Sequence, residues 1–475
     1  MTFACVFLAW ALPALIGAGL FALACGRPRD FAGWSATIGC GFVLGALLCA
    51  LSVNVLGTAP VSRIPHLLMP AMLVPALALW AWVWRRPAGP TAPAPAGAGR
   101  LHPLLWGLLA LLCVRAWMMA DEVLLRPPYP WDAWAAWLLK TKAWMLGGRL
   151  DAFVDMQRWQ SDAGSSLRTA DAWDYPEAIS RLGVWFASAW GEWNAAAVAL
   201  AWFGLWIALL AGAYGQLRLL ALSRERALAA VYALGSLPLI NVHVALAGYA
   251  DLWLAAPLAF ACLAWLRWRQ TGDAGQLALA VAFAALLPLV KHEGIVWSGL
   301  LVATALHDRL TPPLRRAALV LAPLVGVGAV LACLLGWPLA SPMLDGLGAS
   351  PDTAQLMAHA PAVVAATLAG MFAQYNWHFF WFAVALTLVL RRRALAGSPA
   401  LRTFGLFLLL GCGFLFVLFV LTPAGRWAES YTVVNRLGLQ IVPATLVFAA
   451  LMWREPVPAS ASADRHMVAA APAGR

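Results

Sequence analysis

Long runs of apolar residues without a charged side chain constrain this chain more than any other feature. The runs at residues 2–25, 31–57 and 194–216 each exceed 18 residues and contain no Asp, Glu, Lys or Arg. As helices they are long enough to cross a hydrocarbon core of about 30 Å. They show no alternation of polar and apolar residues, which favours helices over strands. The sequence therefore predicts an all-α polytopic membrane protein.

Charged residues are scarce and unevenly placed. They make up 11% of the 475 residues, whereas hydrophobic residues make up 63%. Soluble proteins contain roughly 25% charged residues. The net charge of +11 could suggest a nucleic-acid partner, but the arginines stand in short clusters at the ends of the apolar runs. That placement is typical of membrane orientation signals, so we expect membrane lipid and no nucleic acid as a partner.

About thirteen transmembrane helices account for the apolar runs. The predicted spans lie near residues 2–25, 31–57, 64–84, 101–119, 194–216, 227–245, 250–266, 275–290, 294–306, 317–337, 363–390, 402–422 and 436–453. This map places most arginine clusters, among them Arg391 to Arg393, on one side, with Arg63, Arg426 and Arg436 as exceptions. Basic residues prefer the cytoplasmic side. We therefore expect an integral membrane protein with this side in the cytoplasm, as in a bacterial-type inner (plasma) membrane.

The stretch from Gly275 to Leu306 decides the count of spans. As one helix it would be about 48 Å long at 1.5 Å per residue, and Lys291-His292-Glu293 would lie in hydrocarbon. As a hairpin of two short crossings it brings this tripeptide to the outer surface. Only the hairpin keeps Arg391 to Arg393 cytoplasmic, so the sequence favours two helices.

Four segments of the chain differ in composition. Residues 1–84 hold three leading spans, and the first is expected to stay uncleaved because no basic segment precedes it. Residues 85–100 form a cytoplasmic Pro/Ala/Gly linker, residues 101–453 the expected functional core, and residues 454–475 a disordered cytoplasmic tail. The eight cysteines lie in apolar runs without metal-ligand spacing. We expect no disulfide framework. The sequence also lacks HExxH, the P-loop motif and any His/Cys cluster with metal spacing, so it predicts no nucleotide site and gives no positive case for a metal.

Residues 120–193 form a large polar loop, expected on the outer side. It contains ten acidic residues, seven basic residues and nine tryptophans, and it is too long to be a simple connection. Within 131–145, one helical face carries Trp134, Trp137, Leu138, Thr141, Trp144 and Met145, while Asp132 lies opposite. This pattern predicts an amphipathic helix that lies on the bilayer with its tryptophans among the headgroups.

Five short motifs follow one another along the chain. They are RPPYPWDAWAAWLLKTKAW (126–144), Asp174-Tyr175-Pro176, Gly248-Tyr249-Ala250-Asp251, Lys291-His292-Glu293-Gly294 and Asn435-Arg436-Leu437. Their order and predicted topology over residues 101–453 resemble the GT-C class of membrane glycosyltransferases, which includes aminoarabinose and protein O-mannosyl transferases. The resemblance implies an enzyme that transfers a sugar from a polyprenyl-phosphate donor to an envelope acceptor hydroxyl, with inversion expected. It implies the lipid-linked donor as a partner and no separate cofactor.

The resemblance also implies a catalytic carboxylate early in the first large outer loop. Asp132 is the first candidate, as the general base that accepts the proton of the attacking hydroxyl. Asp121 and Glu122 are rivals because they follow the preceding span directly. Without a catalytic role, Asp132 would cap the helix that follows it, and the other two acids would be a solvated span end.

The remaining motifs supply candidate substrate-binding residues. Lys291, beside His292 and Glu293, and Arg436 could offset the charge of a phosphate leaving group; otherwise they snorkel to the interface. Asp174 either caps the helix that follows or lines the pocket with Tyr175. Asp251 and Trp134 complete the set of candidates.

Two other classes compete with an enzyme. A secondary transporter or flippase of envelope precursors would carry ionisable groups or broken helices near the midplane. A scaffold for envelope proteins would leave the polar loop without chemistry. The candidates gather at span ends on one predicted face, which favours an interfacial enzyme.

Overall fold

A computed structural model gives the structure of residues 2–57, 59–92, 102–162, 164–315, 317, 353–421, 424–431 and 433–455. The predicted span 317–337 lies outside these residues, apart from residue 317. The second half of the linker and all but the first two residues of the predicted tail also lie outside them.

The described chain is almost entirely helical. Its α-helices are α1 (Thr2–Cys25), α2 (Phe31–Ser52), α3 (Met69–Arg85), α4 (Pro103–Leu125), α5 (Leu138–Gly147), α6 (Met156–Ser161), α7 (Ala178–Ser188), α8 (Ala195–Leu219), α9 (Arg224–Gly235), α10 (Pro238–Ala245), α11 (Asp251–Thr271), α12 (Ala274–Val290), α13 (Glu293–Arg309), α14 (Thr353–Leu368), α15 (Phe380–Leu390), α16 (Arg392–Gly397), α17 (Pro399–Leu421), α18 (Gly425–Glu429) and α19 (Val434–Met452). A 3-10 turn covers Val53–Leu56, and π-helical turns cover Ile64–Leu68, Ala133–Trp137 and Ala369–Ala373. Strands β1 (Phe153–Val154) and β2 (Arg168–Thr169) pair in parallel.

Six helices in the described ranges are long and apolar enough to cross a membrane, or seven if the bent pair α9 and α10 forms one span. This supports a membrane-embedded, helical protein, whereas the predicted count of thirteen is not confirmed. The pair α9 and α10 bends by 58°. Pro238 at the start of α10 explains the break, because proline disfavours helical backbone at the residue before it.

The predicted span 363–390 is wrong as a single helix. The helical chain ends after Ala373, and Gln374 has extended backbone. In the segment before α15, Trp377 is buried and donates a hydrogen bond from Nε1 to Asn435 Oδ1 at 2.9 Å. His378 has a φ of +50°, in the left-handed region that a continuous helix does not use.

The leading helices pack directly onto the rest of the described bundle. A Cβ on Gly17 of α1 would lie 1.7 Å from the carbonyl oxygen of Gly41 in α2, and a Cβ on Gly39 would lie 2.2 Å from the backbone nitrogen of Gly212 in α8. Only glycine permits backbones this close. In addition, Trp185 of α7 donates to the carbonyl of Ala9 at 2.9 Å. The first two helices therefore support both the large polar loop of residues 120–193 and α8.

Helices α12 and α13 form the antiparallel hairpin that the sequence predicts. The chain turns at Lys291 and His292, and Ser298 Oγ donates to the carbonyl of Ala284 at 2.7 Å across the hairpin. At the far end of α13, Asp308 is ion-paired with Arg269 of α11. The hairpin is thus held to α11 by charged groups at both ends, since Lys291 is paired with Asp251 at the other.

Two of the tryptophans expected among the lipid headgroups lie inside the protein instead, in the loop of residues 120–193. Trp137 and Trp144 are both buried, and α5 packs against α7. Trp144 Nε1 donates to the carbonyl of Asp151 at 2.7 Å. The apolar face of α5 packs against α7 of the same loop, because α7 presents an apolar face of similar length. Trp134 remains exposed.

Candidate functional site

Asp251 is the centre of a buried ionic network. Its side chain is fully buried at the first residue of α11, where the positive end of the helix dipole favours a carboxylate. Oδ1 accepts from Lys291 Nζ at 2.9 Å and from Gln440 Nε2 at 2.8 Å. Oδ2 accepts from Nε and Nη2 of Arg436 at 3.3 and 3.1 Å. Both oxygens are fully used, so this carboxylate organises its neighbours and is not free to act as a base.

Arg436 joins the network to the large polar loop of residues 120–193. Its Nη1 donates to Asp132 Oδ1 at 3.2 Å, and its Nη2 donates to Asp132 Oδ2. The guanidinium carbon also lies 4.5 Å from the ring centre of Tyr249, within the range of a cation–π interaction. Asp132 makes no side-chain hydrogen bond to the helical turn that it precedes, so the structure does not support the capping role.

A glycine allows Asp132 to reach this position. Gly248, in the turn before α11, has a φ of +122°, and a Cβ there would lie 2.4 Å from the Cβ of Ala133. Both the left-handed backbone and the close approach require glycine. The helical turn that follows Asp132 therefore packs directly against the turn that precedes Asp251.

Lys291 is the second cation of the network. In addition to its hydrogen bond with Asp251, Lys291 forms an ion pair with Glu293, whose Oε1 lies 3.0 Å from Nζ. Glu293 opens α13 as Asp251 opens α11. The core of the network thus contains three carboxylates (Asp132, Asp251, Glu293) and two cations (Arg436, Lys291). Lys291 is buried rather than snorkelling to the surface.

Two buried side chains of this network were not among the predicted site residues. Gln440 donates to Asp251 and accepts from Trp297 Nε1 at 2.6 Å. His243 Nδ1 donates to the Leu239 carbonyl at 2.8 Å, and its Nε2 lies 3.9 Å from Asp251 Oδ2. One sequence signal could have found Gln440: it lies four residues after Arg436, on the same face of an otherwise apolar helix.

The outer edge of the network is formed by Asp174, Tyr175 and His292. His292 Nε2 lies 3.7 Å from Asp174 Oδ2, and the rings of His292 and Tyr175 are 4.8 Å apart. The predicted capping role of Asp174 is not found, because α7 begins at Ala178 with Glu177 at the N-cap position. Asp174 instead connects the loop to the turn between α12 and α13.

Burial shifts the pKa of two loop residues near this edge. Desolvation raises the pKa of Tyr175, which keeps its hydroxyl protonated. Desolvation lowers the pKa of Lys140, whose Nζ donates to the carbonyls of Trp173 and Tyr175 at 2.9 and 3.3 Å. Lys140 thereby fixes the backbone on both sides of Asp174.

The other predicted candidates lie apart from the network. Asp121 is exposed on the last turns of α4, and Glu122 is ion-paired with Arg126 at 3.2 Å. Trp134 donates from Nε1 to the Tyr129 carbonyl and packs on Trp131, with ring centres 4.4 Å apart. The two exposed indoles flank Asp132 in sequence.

An apolar groove of about 220 Å³ lies beside α19. Asn435 lines it together with Met371, Trp377, Cys412, Phe416 and Val434. Its described lining does not include Arg436 or Lys291.

The described residues contain no group of three or more His, Cys, Asp or Glu side chains arranged to hold a metal ion. In comparisons with known protein families, with curated proteins and with solved structures, nothing matches this chain. The likeness to the GT-C class stays a hypothesis based on its five motifs.

Proposed function

We propose that this protein is a membrane glycosyltransferase of the GT-C type that moves a sugar from a polyprenyl-phosphate donor to an envelope acceptor hydroxyl. The observation that carries the proposal is the ionic network of Asp132, Arg436, Asp251 and Lys291. It joins the outer loop to the membrane helices, and its outer members Asp132 and Arg436 keep 21% and 20% of their side chains exposed.

The proposed reaction uses one base and one anion site. The acceptor oxygen attacks the anomeric carbon, the bond from that carbon to the phosphate oxygen breaks, and the polyprenyl phosphate leaves with the electron pair. Asp132 takes the acceptor proton. Arg436 and Lys291 stabilise the negative charge that grows on the phosphate. Attack opposite the leaving group inverts the anomeric configuration.

The groove beside Asn435 supports a lipid-linked donor. Its lining is almost entirely apolar and suits the apolar chain of a polyprenyl donor. Asn435, which lines the groove, is the sequence neighbour of Arg436. Trp131 and Trp134 offer exposed aromatic faces for a sugar near Asp132.

The proposal includes an orientation. The loop 120–193, Lys291 and Arg436 face outward from a bacterial-type inner membrane, and Arg391 to Arg393 face the cytoplasm. The preference of basic residues for the cytoplasmic side supports this arrangement.

Transfer of label in reconstituted liposomes tests the proposed function. Purified protein would be supplied with radiolabelled polyprenyl-phosphate sugars and extracts containing envelope acceptors. We expect label to move from the lipid to an acceptor, with loss of transfer in the Asp132→Asn variant. Failure of every donor to transfer label, with folded protein present, would reject the proposal.

A secondary transporter or flippase is the second candidate. The bend of 58° between α9 and α10 and the break before α15 favour it, because transporters build their sites from interrupted helices. The fully buried charge of Asp251 also fits a transport site. In the same liposomes, movement of labelled lipid between leaflets without a change in its chemistry would support this candidate against the enzyme.

A further inference from the structure

Arg436 has no free edge with which to bind a phosphate. A guanidinium has two edges that grip an oxyanion with two parallel hydrogen bonds. The edge formed by Nε and Nη2 holds Asp251, and the edge formed by Nη1 and Nη2 holds Asp132. An incoming phosphate must therefore displace one of the two carboxylates.

The two carboxylates differ in how firmly they are held. Asp251 is fully buried and also binds Lys291 and Gln440. Asp132 is 21% exposed, and among the described residues its carboxylate accepts hydrogen bonds only from Arg436. Exposed ion pairs are weak, whereas a buried charge is costly to leave unpaired. Asp132 is thus the partner that gives way.

We propose that the phosphate of the lipid donor replaces Asp132 on Arg436 and so releases this carboxylate to act as the base. This inference rests on the proposed function and adds an order of events to it. Before the donor binds, the guanidinium holds Asp132, and each carboxylate oxygen accepts one hydrogen bond from it. After the exchange, the phosphate occupies the edge of Arg436 and Asp132 can accept a proton from the acceptor.

The exchange makes Asp132 a competitor of the donor phosphate. Removing its charge while keeping its shape should leave Arg436 more available, because asparagine holds a guanidinium less strongly than a carboxylate does. Affinity for the phosphate should rise by about 2-fold to 5-fold, the scale set by a partly exposed ion pair. A purely structural role of Asp132 would lower the affinity.

Titration with farnesyl phosphate, a short polyprenyl phosphate, tests the exchange without any sugar transfer. Calorimetry on purified full-length protein in detergent would compare wild type, Asp132→Asn, Asp132→Ala and the control Asp171→Asn, which changes an exposed acid of the same loop. We expect tighter binding in both Asp132 variants and unchanged binding in the control. The alanine variant repeats the test if the asparagine variant is poorly folded.

Equal or weaker binding in the Asp132 variants overturns the exchange, and so does the absence of binding by wild type and both variants alike. The proposed function can fail separately. Tighter binding by the variants without sugar transfer by wild type supports the exchange and rejects the transferase. Sugar transfer by wild type without tighter binding by the variants does the reverse.

Discussion

Arg436 and Asp132 are joined by two hydrogen bonds although 304 residues separate them in the chain. This pair fastens the outer loop to the start of α19. Since Arg436 also holds the buried Asp251, a change at any of the three residues is transmitted to the other two. The predictions below use this connection.

Asp132→Asn should lower turnover by about 10²-fold to 10⁴-fold, the usual scale for loss of a general base. The protein should remain folded, because Asp132 lies at the exposed edge of the network. Initial rates of label transfer in liposomes, at equal protein abundance, provide the measurement, with Asp171→Asn as the control. Normal turnover in Asp132→Asn combined with loss in Asp121→Asn or Glu122→Gln would assign the base to those neighbours.

Lys291→Ala should lower turnover per donor concentration while leaving the acceptor KM nearly unchanged. The lysine is one of the two cations of the network, so its loss reduces stabilisation of the phosphate in the transition state. Steady-state kinetics with donor and acceptor varied separately would show the difference. A change in acceptor KM alone would argue against a role at the phosphate.

Asp251→Asn should destabilise the folded protein by about 3 to 5 kcal/mol, the typical cost of removing one partner from a buried ion pair. Lys291 and Arg436 would each lose their fully buried counter-charge. Thermal unfolding of purified protein in detergent measures the effect, with Asp171→Asn as the matched change. A melting temperature equal to that of wild type would contradict the central role of Asp251.

Gly248→Ala should lower turnover by about 10²-fold, because a new methyl group would push Ala133 and thus Asp132 out of place. The control variant Gly164→Ala separates the effect of backbone strain from that of a steric clash. Gly164 has a φ of +107°, but a Cβ there meets nothing within 4 Å. If both variants lost turnover equally, the contact with Ala133 would not be the cause.

Labelling of single cysteines with an impermeant thiol reagent should show which side of the membrane each segment faces. In a variant without the eight native cysteines, a cysteine at Ser166 in the outer loop should be labelled in intact cells. A cysteine at Ala396, beside Arg391 to Arg393, should be labelled only after the cells are opened. Both positions are exposed in the structure. Labelling of Ala396→Cys alone in intact cells would invert the orientation.

The sequence by itself determined the helical, membrane-embedded character and the turn at Lys291. Uncharged runs of 18 or more residues require a helix in a medium that cannot satisfy free backbone groups, and three consecutive polar residues interrupt such a run visibly. These features depend on neighbouring residues, which is why local patterns reveal them.

Only the tertiary structure decided which side chains meet. The pairing of Asp132 with Arg436, and the burial of Trp137 and Trp144 against α7 instead of among lipid headgroups, depend on contacts between distant segments. An amphipathic face requires an apolar partner, but its periodicity does not specify whether that partner is lipid or protein. Likewise, the sequence shows that a charge near a span end would be costly to bury, but it does not show which residue of opposite charge pairs with it. The packing of α11, α19 and the polar loop of residues 120–193 decides that pairing.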